Sequence, residues 1–143
     1  METQKMEKSE AIAVNPVTLA FLGDAVYTLY IRDRLVRSGT GKAADFQRAS
    51  AKLVSARGQS AFLERVLPLF TEEESDIYRR GRNAKKPTKS KNASVAEYAR
   101  STGFEAVIGF LYLTGEYERI LYLFSLVDEE DLKGQAAQKA YKP

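Results

Sequence analysis

Two acids in this 143-residue chain stand alone in apolar helical runs, and their type and placing could do chemistry. Asp24 is the single carboxylate within residues 19–30, and Glu105 is the single charge within residues 104–113. A carboxylate on a helix that is apolar on both sides is costly unless something pairs with it. The chain has no histidine and no cysteine. That excludes Ser-His and Cys-His nucleophile pairs, thiolate chemistry, disulfides and zinc or iron held by His or Cys. Catalysis is left to carboxylates, Lys, Arg, Tyr and Ser, and a bound metal would be a hard, oxygen-preferring cation such as Mg²⁺, with Mn²⁺ as the alternative. Two carboxylates brought together raise each other's pKa unless a cation sits between them. Spacing leaves two readings open. Either Asp24 and Glu105 share a metal, or each is bonded separately to a nearby arginine such as Arg32 or Arg100.

A second chemical feature is a run of one charge sign. Arg79, Arg80, Arg82, Lys85, Lys86, Lys89 and Lys91 lie in thirteen residues with no acid, interleaved with Gly81, Asn83 and Pro87 and followed by Asn92. The chain carries +3 overall, so +7 in this segment leaves −4 on the remainder. Such a segment on an acidic body reads either as a phosphate-binding loop or as a solvated flexible one. It has little aromatic interleaving, so contact with duplex phosphates fits it better than stacking on single-strand bases. Lys52 and Arg57 could extend that surface.

The elements that must position these groups are helices. Residues 1–10 are charged and expected to fray. Asn15 and Pro16 are an N-cap and first helical position, opening a helix that runs through Asp24 to about Val36, with Leu22, Val26 and Leu29 as its buried face. Residues 42–60 read as an amphipathic helix, and residues 61–67 as a short one stopped by Pro68. Thr71 and Glu74 form a capping box that starts a helix to about Arg80. A second box, Ser94 and Glu97, starts the Glu105 helix, which ends at Thr114 and Gly115. Gly103 and Gly109 inside it each cost about 1 kcal/mol against alanine, which close helix packing would explain. Tyr117, Ile120, Leu121, Phe124 and Val127 mark the face of a last helix. No alternating β-branched run signals a strand. The expected fold is all-α, with six or seven helices.

Hydrophobic residues make up 44% of the chain, ordinary for one globular domain. No apolar run reaches the roughly 18 residues of a membrane span, and the polar N-terminus shows no signal peptide, so a cytoplasmic protein is expected.

Residues 21–26, Phe-Leu-Gly-Asp-Ala-Val, resemble the first signature of the ribonuclease III catalytic domain. Residues 104–109, Phe-Glu-Ala-Val-Ile-Gly, resemble its second. Tyr27, residues 79–85 and residues 102–105 look most like the short Mini-ribonuclease III branch, which has no double-stranded-RNA-binding domain. The resemblance spans roughly residues 15–124. It implies a ribonuclease III-like helical bundle over residues 15–128, between a flexible N-terminus (1–14) and a polar tail (129–143), partly helical or frayed. It also implies a homodimeric, Mg²⁺-dependent endoribonuclease cutting double-stranded RNA, with maturation of the 23S ribosomal RNA precursor as its task. Asp24 and Glu105 carry over as catalytic metal ligands. The wider family has further acids four residues before the first and three before the second, where this chain has Ala20 and Thr102. The basic residues, with Asn83, would hold RNA. A non-catalytic RNA- or ribosome-binding helical protein is the competing expectation.

Overall fold

The computed structural model describes residues 4–39, 41–85 and 94–127. Seven α-helices and one 3₁₀ turn, with no strand, occupy the described residues. They are α1 (Lys8–Ile12), α2 (Pro16–Ser38), α3 (Ala43–Val54), α4 (Ala56–Val66), α5 (Glu72–Asn83), α6 (Val95–Leu113) and α7 (Tyr117–Phe124), with the 3₁₀ turn at Leu67–Leu69. The polar tail, 129–143, lies outside the described residues.

Local chemistry sets most boundaries. The Asn15 side chain accepts a hydrogen bond from the Val17 N–H at 2.8 Å, and Pro16 fills the first helical position of α2. Thr71 with Glu74 and Ser94 with Glu97 close the two expected capping boxes. Gly115, at φ 76°, supplies the left-handed residue that turns the chain out of α6.

The central helix is α6, whose residues 101–104 and 106–111 are buried. Helices α2, α4, α5 and α7 pack around it. Tyr27, Phe62, Phe104 and Phe124 meet at the centre. Tyr27 stacks on Phe62 at 5.9 Å between centroids and takes the edges of Phe104 and Phe124 at 5.5 and 5.3 Å. One buried ion pair braces the periphery: Arg119 donates to both oxygens of Glu74, at 2.9 and 2.7 Å, and to the Leu69 carbonyl.

Several expectations are corrected. On α2 the buried residues are Leu19, Ala20, Gly23, Tyr27, Ile31 and Leu35, while Leu29 is exposed. The helix is apolar nearly all round, so periodicity could not rank its faces. The helix expected over residues 42–60 breaks at Ser55, which leaves helical geometry (ψ 158°) and caps α4 through the Gly58 N–H at 3.0 Å. Gly58 permits the sharp junction, because a Cβ there would overlap the Lys52 carbonyl oxygen. Helix α5 continues through Gly81 to Asn83. On α7 Leu121 is exposed and Leu123 takes its place in the core. In the segment expected to fray, Lys8–Ile12 forms α1, with Ala11 buried, and the Met6 N–H donates to the Leu113 carbonyl at 2.8 Å.

Candidate active site

Asp24 and Glu105 come together because two helices touch backbone to backbone. A Cβ on Gly23 would overlap the Glu105 carbonyl oxygen, and one on Gly109 would overlap the Leu19 carbonyl oxygen. Helices α2 and α6 therefore cross with two interlocked glycines, and the residue after Gly23 arrives beside Glu105. The same device joins α5 to α6. A Cβ on Gly81 would stand 2.9 Å from the Gly103 Cα and 3.1 Å from the Thr102 carbonyl oxygen. The expected packing role of Gly103 and Gly109 is what the structure shows.

Both acids line one open cleft of about 360 Å³, with Val17, Ala20, Phe21, Val54, Ala56, Tyr98, Ser101 and Thr102 as the other walls. Asp24 stands at the exposed side and Glu105 is partly buried. The two carboxyls are close enough for the Asp24 charge to act on Glu105. Burial first, and then the Asp24 charge, push the Glu105 carboxyl up to about 9. Two acids facing each other this way share a proton or a cation.

The separate-arginine reading does not describe Glu105. Arg100 bonds to Ser60 and, at 3.2 Å, to Glu64. The neighbour of Glu105 is instead Gln59, which sequence reasoning missed. Its Nε2 donates to Glu105 Oε2 at 3.2 Å and to the Val54 carbonyl at 2.8 Å. Placing residues 42–60 on one continuous helix hid it, because only the break at Ser55 turns Gln59 into the core.

The site's chemistry suits a hard divalent cation: two facing carboxyls and no sulfur or imidazole. Among the described residues no group of three acidic, His or Cys side chains could hold a metal. Ala20 is buried, and the Thr102 hydroxyl donates to the Tyr98 carbonyl at 3.0 Å. The positions that carry acids in the wider family thus offer no ligand here.

The basic residues Arg79, Arg80, Arg82 and Lys85, with Asn83, are exposed at the C-terminal end of α5. Arg79 is bonded to Asp76, and Arg80 reaches the Val14 carbonyl at 3.4 Å. Arg82 lies 5.6 Å over the Tyr78 ring. The contact of Gly81 with Thr102 sets this helix end beside the cleft wall. Lys86, Lys89 and Lys91 lie outside the described residues.

The fold these elements build is that of the ribonuclease III domain, whose family model matches residues 17–116. Mini-ribonuclease 3 of Symbiobacterium thermophilum is 45% identical over 115 residues, covering 80% of this chain and 88% of that protein. Mini-ribonuclease 3 of Staphylococcus aureus is 45% identical over 116 residues, covering 80% and 87%. A crystal structure of a protein from Fusobacterium nucleatum superposes with a TM-score of 0.74 at 30% identity, over 80% of this chain and 92% of that one. The chain belongs to the ribonuclease III family, in its Mini-ribonuclease 3 branch.

Proposed function

We infer that this chain is an endoribonuclease that hydrolyses phosphodiester bonds in double-stranded RNA and acts in maturation of the 23S ribosomal RNA precursor. The observation that carries the assignment to particular residues is the meeting of Asp24 and Glu105 across the α2–α6 crossing, in an open cleft, with no arginine among the described residues neutralising Glu105. Both are assigned as ligands of Mg²⁺, or of Mn²⁺ in its place. Held by Asp24 and Glu105, a divalent cation would supply an activated water and charge neutralisation for the phosphate and the leaving oxygen. With two protein ligands, it would keep several waters, as Mg²⁺ prefers.

The chain's own residues do the rest. Asp24, at the exposed side, meets the scissile phosphate region first, and Glu105 anchors the inner side. The basic end of α5 (Arg79, Arg80, Arg82, Asn83, Lys85) and the continuing Lys86, Lys89 and Lys91 hold duplex phosphates beside the cleft. Contacts of that kind position the duplex without reading its sequence, and an A-form helix is recognised chiefly by shape and 2′-hydroxyls. The catalytic unit is assigned to residues 15–128, between the N-terminal segment 1–14 and the tail 129–143.

A homodimer is assigned through α2. Phe21, Ala25, Leu29 and Val36 follow one another on a single face, and Phe21, Leu29 and Val36 are 81%, 55% and 64% exposed. This apolar stripe beside the cleft, crossed by the exposed Arg32, fits a second copy of the chain. None of the described helices is long and apolar enough to cross a membrane. A cytoplasmic location accords with a ribosomal RNA precursor as substrate.

Incubating the protein with duplex RNA, with and without Mg²⁺, tests the reading. Cleavage is expected only with metal, and Asp24→Asn is expected to abolish cutting while keeping the helical signal and RNA binding. Undiminished cleavage by that variant removes Asp24 from the mechanism.

A further inference from the structure

Gln59 is fully buried, and its amide nitrogen serves two acceptors, one at a helix end and one in the cleft. It begins the second turn of α4, just past the Ser55 break. One amide proton is fixed by the Val54 carbonyl, at the end of α3, and the other points at Glu105 Oε2. These two acceptors settle the amide's orientation: turned over, its oxygen would face a carbonyl and a carboxylate. The remaining atom, Gln59 Oε1, is buried without a hydrogen-bond partner among the described residues. A buried acceptor left unpaired costs about 1–3 kcal/mol, and an apolar side chain of the same shape would escape that cost. The bond to the Val54 carbonyl closes the end of α3, and the second bond, to Glu105, is the one that reaches into the cleft.

We propose that Gln59 is a positioning residue for the metal site, which holds the Glu105 carboxylate by one oxygen and leaves the other turned to the cation shared with Asp24. The proposal rests on the assignment of Asp24 and Glu105 as metal ligands. Among the described residues, the Glu105 carboxyl has only one other close polar neighbour besides Gln59, namely Asp24, which is itself exposed. Gln59, in turn, is anchored by the α3–α4 junction. The Ser55 cap and Gly58 thus set the position of an atom in the active site. Groups that orient a metal's ligands in this way typically contribute 10–100-fold in metal affinity or activity.

The test is direct Mn²⁺ binding, by electron paramagnetic resonance, to the full chain without RNA. Three proteins are compared: the unaltered chain, Asp24→Asn and Gln59→Met, the last keeping length and volume but removing the donor. The unaltered chain is expected to bind, Asp24→Asn to lose binding, and Gln59→Met to bind roughly tenfold more weakly. Gln59→Met also loses the donor to the Val54 carbonyl, so a modestly lower melting temperature is expected alongside a need for more Mg²⁺ for half-maximal cleavage at an unchanged KM for RNA. If the unaltered chain binds no Mn²⁺, the ligand assignment itself fails. If it binds and Gln59→Met binds within twofold of it, the positioning role alone is overturned, and a lower melting temperature with unchanged metal affinity overturns it equally. Should Gln59→Met not fold, the side-chain amide resonances of Gln59 in the unaltered chain decide the matter. They are expected to shift on Mg²⁺ addition in step with binding, and their indifference to metal overturns the proposal.

Discussion

Gly23 lies with its Cα hydrogens against the carbonyl oxygen of Glu105, in a space that no side chain can share. The contact is backbone to backbone, so it fixes the distance between α2 and α6 at the level where the two acids project. Gly23→Ala is expected to force the helices apart. Overpacking of this kind costs about 1–3 kcal/mol, and the upper end applies because the obstacle is backbone. The damage to catalysis should be larger than the damage to stability. A displacement of about 1 Å at a reacting centre can cost on the order of 100-fold in rate. Thermal melting and single-turnover cleavage of duplex RNA check both, and a variant that melts lower but cuts at the full rate would separate the crossing from the site.

Much of this arrangement was legible in the sequence because it depends on local rules. Asp24 and Glu105 stood out as lone charges in apolar runs, and the capping boxes at Thr71 and Ser94 started helices where they were expected. The glycines in α6 announced close packing. What stayed hidden depended on tertiary context. An α2 helix apolar on nearly every side gave no means of telling its core face from the face carrying Leu29. Ser55 and Gly58 did not read as a break, since residues 42–60 kept helical periodicity across it. Gln59 was concealed with them. A serine three residues before a glycine is a weak cap signal, and only the overlap a Cβ would make with the Lys52 carbonyl shows why glycine is needed.

The Glu105 carboxyl gives the protein a pH-dependent stability. Its ordinary value is 4.5 and burial together with Asp24 raises it to about 9 in the folded chain. Between those values the native state keeps a proton that the unfolded chain has released. Stability from this group is therefore full below pH 4.5 and is lost as pH rises towards 9. Without metal, the melting temperature is expected to fall by several degrees between pH 6 and pH 9. Glu105→Gln should flatten that slope and melt higher than the unaltered chain at pH 9. Mg²⁺ takes the place of the proton, so its stabilising effect should grow with pH over the same interval. Calorimetry at several pH values, with and without Mg²⁺, checks both statements. A metal-free melting temperature that rises from pH 6 to 9 would contradict the raised value for Glu105.

Arg82 and Lys85 are exposed at the end of α5 and are assigned to duplex phosphates. Changing both to Ala is expected to weaken binding by a similar factor for every duplex sequence. Each phosphate contact removed should lower the slope of log affinity against log salt by about 1. Filter binding of catalytically inactive Asp24→Asn protein to several duplexes, across a salt series, measures this. A loss confined to one sequence would mean that these residues read bases rather than hold the backbone.

The apolar stripe of α2 sets the last expectation. Phe21 is 81% exposed although it lines the same cleft as Asp24 and Glu105. A second chain laid over that position would take Phe21 out of water, and burying it fully would contribute about 1.5–3 kcal/mol to association. Phe21→Glu and Leu29→Glu place charges on the stripe without touching the buried face of α2 at Gly23, Tyr27 and Ile31. Each is expected to convert a dimer into a monomer by sedimentation equilibrium while keeping the helical content. Cleavage should fall with dimerisation, because an A-form duplex laid along the stripe would then meet one cleft and one basic helix end instead of two. Monomeric mass in the unaltered chain at all concentrations, with full activity, would assign the stripe to the RNA or to another partner.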